Sequence, residues 1–246
     1  MNDIIKSLYD RKSVRAFIDK EIPKEAKEAI IRAAMEAPTA GNQMLYTIID
    51  VTDQAIKDKL AVTCDNQPFI AKAPLVLIFF ADHARWCDTY KAAGLEPRKP
   101  GTGDLFLAIA DACIAAQNSV VAAESLGIGS CYIGDILEQC EIHREMFDLP
   151  KHVVPAAMLV FGYPTESAAK REKPKRFDKK YVVFENKYKT LPLEEHINMY
   201  EDREKASGKP GGDFEEKIKA FCLRKYESDF SIEMTRSADV YLEEFR

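Results

Sequence analysis

Over the first forty residues the apolar positions return at helical spacing. Asn2 or Asp3 can cap a short helix ending near Asp10. Pro23 sits at the first turn of a second helix, in which Ala26, Ile30, Ala33, Ala34 and Ala37 recur every third or fourth residue toward Pro38. The stretch Pro38-Thr-Ala-Gly-Asn42 then holds too many turn formers to extend either element. Residues 46–51 read as a strand, and Asp53 caps a helix to about Thr63. The run 75–80 is apolar and β-rich without interruption, as expected of a strand buried on both faces.

The strongest helical pattern covers 104–126 and ends at Gly127. It is apolar or small almost all round (Ala108, Ile109, Ala112, Cys113, Ala116, Val120, Ala123), which suits a central helix or one buried between subunits. A turn or short strand at 130–134, two short helices to about Phe147, and a strand over 153–161 closed by Gly162-Tyr-Pro164 follow. Residues 166–180 are strongly basic, 181–184 read as a short strand, and the tail from Pro192 is helical and charged with a break at 208–212. Helices are grouped between strands with no strict βαβ alternation, so the expected class is α+β rather than doubly wound α/β.

Composition narrows the function more than the fold. The chain has 246 residues, 46% of them hydrophobic, enough to bury a real core. Its 35 basic and 40 acidic residues give a net charge of −5, a poor basis for nucleic-acid binding or for attraction to an anionic membrane. The first twenty residues contain no uninterrupted apolar segment, and the run 73–81 is far shorter than the ~20 residues of a membrane helix. Six cysteines without a Cys-x-x-Cys, and four scattered histidines, suggest reduced thiols and no metal site. A soluble cytoplasmic protein is expected.

Candidate chemistry lies in separated segments. Arg11, Lys12, Ser13 and Arg15 bring guanidinium, ammonium and hydroxyl donors together, the mixture a phosphate requires, although a solvated loop would look the same. The segment 38–43 can offer backbone donors and an amide to a heteroaromatic ring, or simply turn the chain. Gly127-Ile-Gly-Ser-Cys-Tyr-Ile-Gly134 permits close backbone approach to a ligand, but it follows a helix and so is no dinucleotide-binding fingerprint. Cys131 and Cys87 read as buried apolar residues rather than nucleophiles.

Taken in order, the segments Arg11-Lys-Ser-Val-Arg-Ala-Phe17, Ala37-Pro-Thr-Ala-Gly-Asn-Gln43, Asn66-Gln67, Ala122-Ala-Glu-Ser-Leu-Gly-Ile-Gly129 with Tyr132-Ile-Gly134, Gly162-Tyr-Pro164, and Lys173 to Arg176 leading into Phe184-Glu-Asn-Lys-Tyr188 resemble the nitroreductase family of FMN-dependent NAD(P)H oxidoreductases. The likeness is to its oxygen-insensitive nitroreductase and NADPH-flavin reductase branch. It implies a homodimer of α+β subunits, each with a mostly antiparallel sheet flanked by helices and a C-terminal strand, here 181–184, exchanged with the partner. Residues 1–188 would form the FMN-binding domain and 189–246 a helical extension of it. By position, Arg11, Ser13 and Arg176 resemble the FMN phosphate ligands, assisted by Lys12 and by Lys173 or Lys175. Arg15 and Gln67 match residues at the pyrimidine edge of the flavin. Pro38, Thr39, Ala40 and Asn42 would approach from the other subunit, and Tyr132, Ile133 and Gly134 would lie over the ring near N5.

What the resemblance implies is ping-pong hydride transfer from NADH or NADPH through FMN to a small-molecule acceptor, a nitroaromatic, quinone or flavin, with no catalytic side chain. Two alternatives stand beside it: a flavin-binding or redox-responsive protein without turnover, and a reductase that supplies reduced FMN to a partner enzyme. Three departures bear on the reading. Lys12 stands where relatives often carry His or Arg. Asp135 replaces a frequent glycine and would place a carboxylate near the flavin. The segment 205–213 has lysines and glycines where NADPH-preferring relatives have arginines, which leaves the coenzyme open. Between 82 and 103 there is no lid insertion with obvious readers of substrate charge, although Arg85, Lys91 and Arg98 could serve.

Overall fold

The run that reads as buried on both faces lies at the middle of a sheet. In a computed structural model describing residues 1–208 and 211–246, β1 (Tyr46–Asp50), β2 (Leu75–Asp82), β3 (Gly129–Ile133) and β4 (Val153–Gly162) form one four-stranded sheet. Its order is β1-β2-β4-β3, with every neighbouring pair antiparallel. The pleat sends alternate residues of β2 to opposite faces. Leu75, Leu77 and Phe79 join one core cluster, and Val76, Ile78 and Phe80 join another. Each such fully buried side chain contributes roughly 1.5–3 kcal/mol.

The helices cover both faces. They are α1 (Asp3–Asp10), α2 (Lys24–Met35), α3 (Gln54–Thr63), α4 (Ala84–Ala92), α5 (Thr102–Ser125), α6 (Cys140–Met146) and α7 (Glu166–Lys170). Asn2 caps α1 by accepting from the Ile5 N–H at 3.0 Å, and Asp53 caps α3 by accepting from the Ala55 N–H at 2.7 Å. The buried residues of α5 are Leu105, Ala108, Asp111, Ala112, Ala115, Ala116, Ser119, Val120 and Ala123. Phe106, Leu107 and Ile114 lie on its other side, exposed in the single chain. By length and composition α5 could cross a membrane; its stripe of small residues packed on the sheet makes it the core helix. The six cysteines are free.

Two compact units emerge, residues 1–171 with 232–246, and residues 172–231. The first holds the sheet, helices α1 to α7 and most of a later helix, Asp229–Leu242, whose Tyr241 is fully buried. The second holds α8 (Leu193–Ala206) and α9 (Phe214–Lys225). Within it the Tyr200 ring meets Phe177 and Phe214 edge-on at 5.3 and 5.8 Å, and the Arg203 guanidinium lies 4.2 Å from the Phe177 ring.

One element differs from expectation and one has no counterpart in the sequence pattern. Residues 181–184 form no strand in the chain. Lys179–Tyr181 is a single 3-10 turn capped by Asp178, and the Tyr181 hydroxyl donates to Asp202 Oδ2 at 2.9 Å. A strand needs a ladder partner, and these local bonds hold the segment without one. Helix α4, which lacks an apolar period, is instead anchored by tertiary contacts, the Trp86 indole N–H donating to the Gln43 carbonyl at 2.8 Å. The expected break at 208–212 includes Lys209 and Pro210, which lie outside the described residues.

Candidate active site

Glycine allows residues 11–17 to lie along the outer edge of β3. Ser13 bridges Ser130, and the Val14 N–H donates to the Ser130 carbonyl at 2.9 Å. A Cβ on Gly129 would stand 2.5 Å from Val14 Cγ2, and one on Gly162 would stand 2.6 Å from Phe17 Cδ1, so only glycine admits the segment at both places. Val14 is buried against Gly129, and the alternation of an extended chain leaves Arg11, Ser13 and Arg15 to the other side.

Arg11 is the outstanding side chain of this segment. Its Nε and Nη2 are shielded from solvent and have no hydrogen-bond partner among the described residues. Its guanidinium carbon lies 5.9 Å from the Tyr132 ring centroid. A buried guanidinium with unused donors is costly unless an anion completes it, so the cradle fits a phosphate. Lys12 is employed otherwise, its ammonium donating to the Ala169 and Arg171 carbonyls at the end of α7. The Arg171 guanidinium donates to the Ser13 carbonyl. Lys12 therefore supports the cradle by holding α7, with at most one N–H left for an anion. The Arg15 guanidinium carbon lies 5.9 Å from the Phe69 ring, two residues from Gln67.

Gln67 and the 132–138 segment meet directly. Asp65 and Asn66 take left-handed φ values of 57° and 51°, a conformation Asn and Asp tolerate best, and so turn the chain after α3. Gln67 Nε2 then donates to the Cys64 carbonyl at 2.9 Å and to Asp135 Oδ2 at 2.8 Å. The Tyr132 hydroxyl faces Gln117 of α5 at 3.3 Å, and burial pushes that phenol up to about 12. Ile133 is buried, and Gly134 is exposed with nothing within 4 Å of a would-be Cβ, leaving its surroundings open to a ligand. Beside Asp135 lies Glu138, only 5% exposed and with Oε1 unpartnered. Burial, then the charge of Asp135, pushes its carboxyl up to about 8.

The segment 38–44 is fixed from α5. Buried Asp111 accepts from the Thr39 hydroxyl, from the Ala40 N–H at 3.0 Å and from the Leu45 N–H at 3.3 Å. Thr39 Oγ1 also accepts from the Met44 N–H at 2.8 Å, so its hydroxyl proton is committed within the loop. Gly41, Asn42 and Met44 have φ of 57°, 57° and 50°; Asp111 and Thr39 hold this tight turn in place. Pro38 and Asn42 are exposed and Ala40 half-buried. The structure thus gathers Arg11, Ser13, Arg15, Gln67, Tyr132, Ile133 and Gly134 along one edge of the sheet. Pro38, Thr39, Ala40 and Asn42 form a separate group at α5. Lys173 and Arg176 belong to the second unit, where Arg176 is exposed.

The profile of the nitroreductase family matches residues 8–163. The chain belongs to the nitroreductase family. It is 31% identical over 235 residues, 92% of its length and 93% of the relative's, to an FMN reductase (NADPH) of Bacillus subtilis strain 168. It is 32% identical over 197 residues to an oxygen-insensitive NADPH nitroreductase of Salmonella typhimurium, covering 80% of this chain and 78% of that one. Among solved structures, NfrA2 of Bacillus megaterium superposes with a TM-score of 0.83 at 28% identity, covering 100% of this chain and 98% of that chain. The nitroreductase fold accounts for the α+β class expected from the sequence.

Residues that sequence reasoning missed act mainly by bracing. Asp111 was legible as the one carboxylate in the middle of an apolar helix. Arg171 was hidden in a basic run, and Glu138 carried no signal. Arg85 and Arg98 are used internally. Arg85 donates to the Met44 and Tyr46 carbonyls at 3.2 and 3.0 Å, and Arg98 donates to Asp104 Oδ1 at 2.9 Å.

Proposed function

We propose that the chain is an FMN-dependent NAD(P)H oxidoreductase, a cytoplasmic homodimer acting on small-molecule acceptors such as nitroaromatics, quinones or flavins. The observation that carries this reading is the buried, unsatisfied guanidinium of Arg11 beside Ser13, in a family whose relatives include an FMN reductase and an NADPH nitroreductase. Arg11 and Ser13 would hold the phosphate with Arg176, helped by Lys12 and Lys173. Arg15 and Gln67 would read the pyrimidine edge, and Tyr132, Ile133 and Gly134 would flank the ring. When bound, FMN supplies the redox chemistry, taking a hydride from NADH or NADPH and passing two electrons to an acceptor in a ping-pong cycle. The residues bind and orient; none is assigned a proton-transfer step.

The dimer is supported by apolar surface left uncovered in one chain. Phe106, Leu107 and Ile114 of α5, Ile4 and Leu8 of α1, and Val182 and Val183 of the region expected to exchange are all exposed. In such a dimer Pro38, Thr39, Ala40 and Asn42 would reach the flavin held by the partner. Residues 1–188 would carry the FMN site and 189–246 a helical extension.

The test is the visible spectrum of the purified protein before and after anaerobic NADH, then NADPH. A flavin band that bleaches is expected, and the faster donor names the coenzyme. A band that persists would favour a flavin-binding protein without turnover. No band after incubation with FMN would overturn the proposal.

A further inference from the structure

Gln67 has both of its side-chain N–H groups engaged. The Cys64 carbonyl, 2.9 Å away, can only accept. Asp135, 2.8 Å away, accepts as a carboxylate. The amide nitrogen must therefore face these two groups, because the reverse orientation would set oxygen against oxygen twice. Among the described residues no donor reaches Gln67 Oε1, so this oxygen is what the side chain has left to offer a ligand.

Beside Asp135 lies a second carboxyl, that of Glu138, which holds its proton. Glu138 is the more buried of the two, its Oε1 has no donor, and the nearby charged groups are Asp135, Asp65 and Glu233, all acidic. Glu233 is itself held by Arg236 at 2.8 Å, so that arginine does not neutralise Glu138. A buried carboxyl ringed by acids keeps its proton.

We infer that Asp135 is a positioning residue: it clamps the Gln67 amide so that this side chain meets the flavin as a hydrogen-bond acceptor only. The inference rests on the FMN reading above. The carboxylate at 135 then works through Gln67 by orientation rather than through its charge alone. Gln67 can pair only with a ring group that donates, and it repels a ligand edge that presents nothing but lone pairs there.

The test is FMN affinity, read by quenching of FMN fluorescence on binding, for wild type, Asp135→Asn, Asp135→Ala, Gln67→Ala and the double variant Asp135→Ala/Gln67→Ala, with circular dichroism to establish folding. Asp135→Ala frees the amide to flip and should weaken FMN binding about tenfold, the loss of one oriented hydrogen bond. Asp135→Asn keeps an acceptor oxygen toward Gln67 and should stay within about twofold of wild type. The double variant should bind no more weakly than Gln67→Ala, because Asp135 acts through Gln67. Wild-type affinity in Asp135→Ala would overturn the inference. So would an equal loss in Asp135→Asn, which would point to charge, or losses that add in the double variant. Wild-type protein that takes up no FMN would instead overturn the FMN reading, and the inference would fall with it.

Discussion

Arg11 and Asp111 border the candidate site from opposite sides of the chemistry, and they treat a buried charge in opposite ways. Asp111 is surrounded by donors of its own chain, the Thr39 hydroxyl and the Ala40 and Leu45 amides. Arg11 keeps Nε and Nη2 buried and unpaired. An anion so completely used is part of the fold, whereas a cation left incomplete is prepared for a ligand. The difference teaches how to separate residues that build this site from residues that bind in it: the first should alter stability without FMN, and the second should alter FMN affinity without altering stability.

The largest expected effect is on the building side. Asp111→Ala orphans two backbone N–H groups and a hydroxyl around a turn with left-handed φ values, and should lower unfolding free energy by about 3 kcal/mol. Urea denaturation of the FMN-free protein measures it, and a loss below about 1 kcal/mol would erase the contrast with Arg11. Gly129→Ala comes next. Its Cβ would meet Val14 at 2.5 Å and push residues 11–17 off β3. A loss of about 1–3 kcal/mol is expected from such overpacking, and Val14→Ala in the same chain should restore much of it.

Arg11→Ala should reverse the pattern. Removing an unsatisfied buried cation should leave the stability of the FMN-free protein within about 0.5 kcal/mol, yet weaken FMN by about 2 kcal/mol, the value of a charge-assisted hydrogen bond. Calorimetric titration with FMN reads the second effect and a urea curve the first. Equal losses in both would show that Arg11 is structural after all.

Much of this contrast could be read before any coordinates. The unbroken run 75–80 announced a strand buried on both faces, because a sheet covered on both sides needs no polar alternation. The order of short motifs placed Arg11, Ser13, Gln67 and Tyr132 in one family pattern. What stayed hidden is what depends on pairing between distant segments. That Lys12 would hold the end of α7, that Thr39 would give its proton to Asp111, and that Glu138 would be buried beside Asp135 follow from tertiary contacts that no local spacing encodes. Residues 181–184 form no strand in the single chain for a related reason: β-propensity describes a surface that fits a sheet, and a ladder exists only where a partner strand is present.

Glu138 extends the comparison to a third case, a buried carboxyl whose Oε1 meets no donor among the described residues, and its expected effect is the most dependent on conditions. Its pKa is raised in the folded protein, up to about 8, while the unfolded chain should titrate near the ordinary glutamate value. Across the interval between these values the native state binds the extra proton, so stability must fall as pH rises through it. Glu138→Gln mimics the protonated form and should remove that slope, leaving the variant equal to wild type near pH 4 and more stable than wild type at pH 8. Thermal melts at the two pH values distinguish this from the opposite pattern, a variant less stable at pH 8, which would mean that the negative charge is held by a donor. The pH at which wild-type stability stops falling should mark where Glu138 loses its proton in the folded protein and the corner beside the Gln67 amide gains a negative charge.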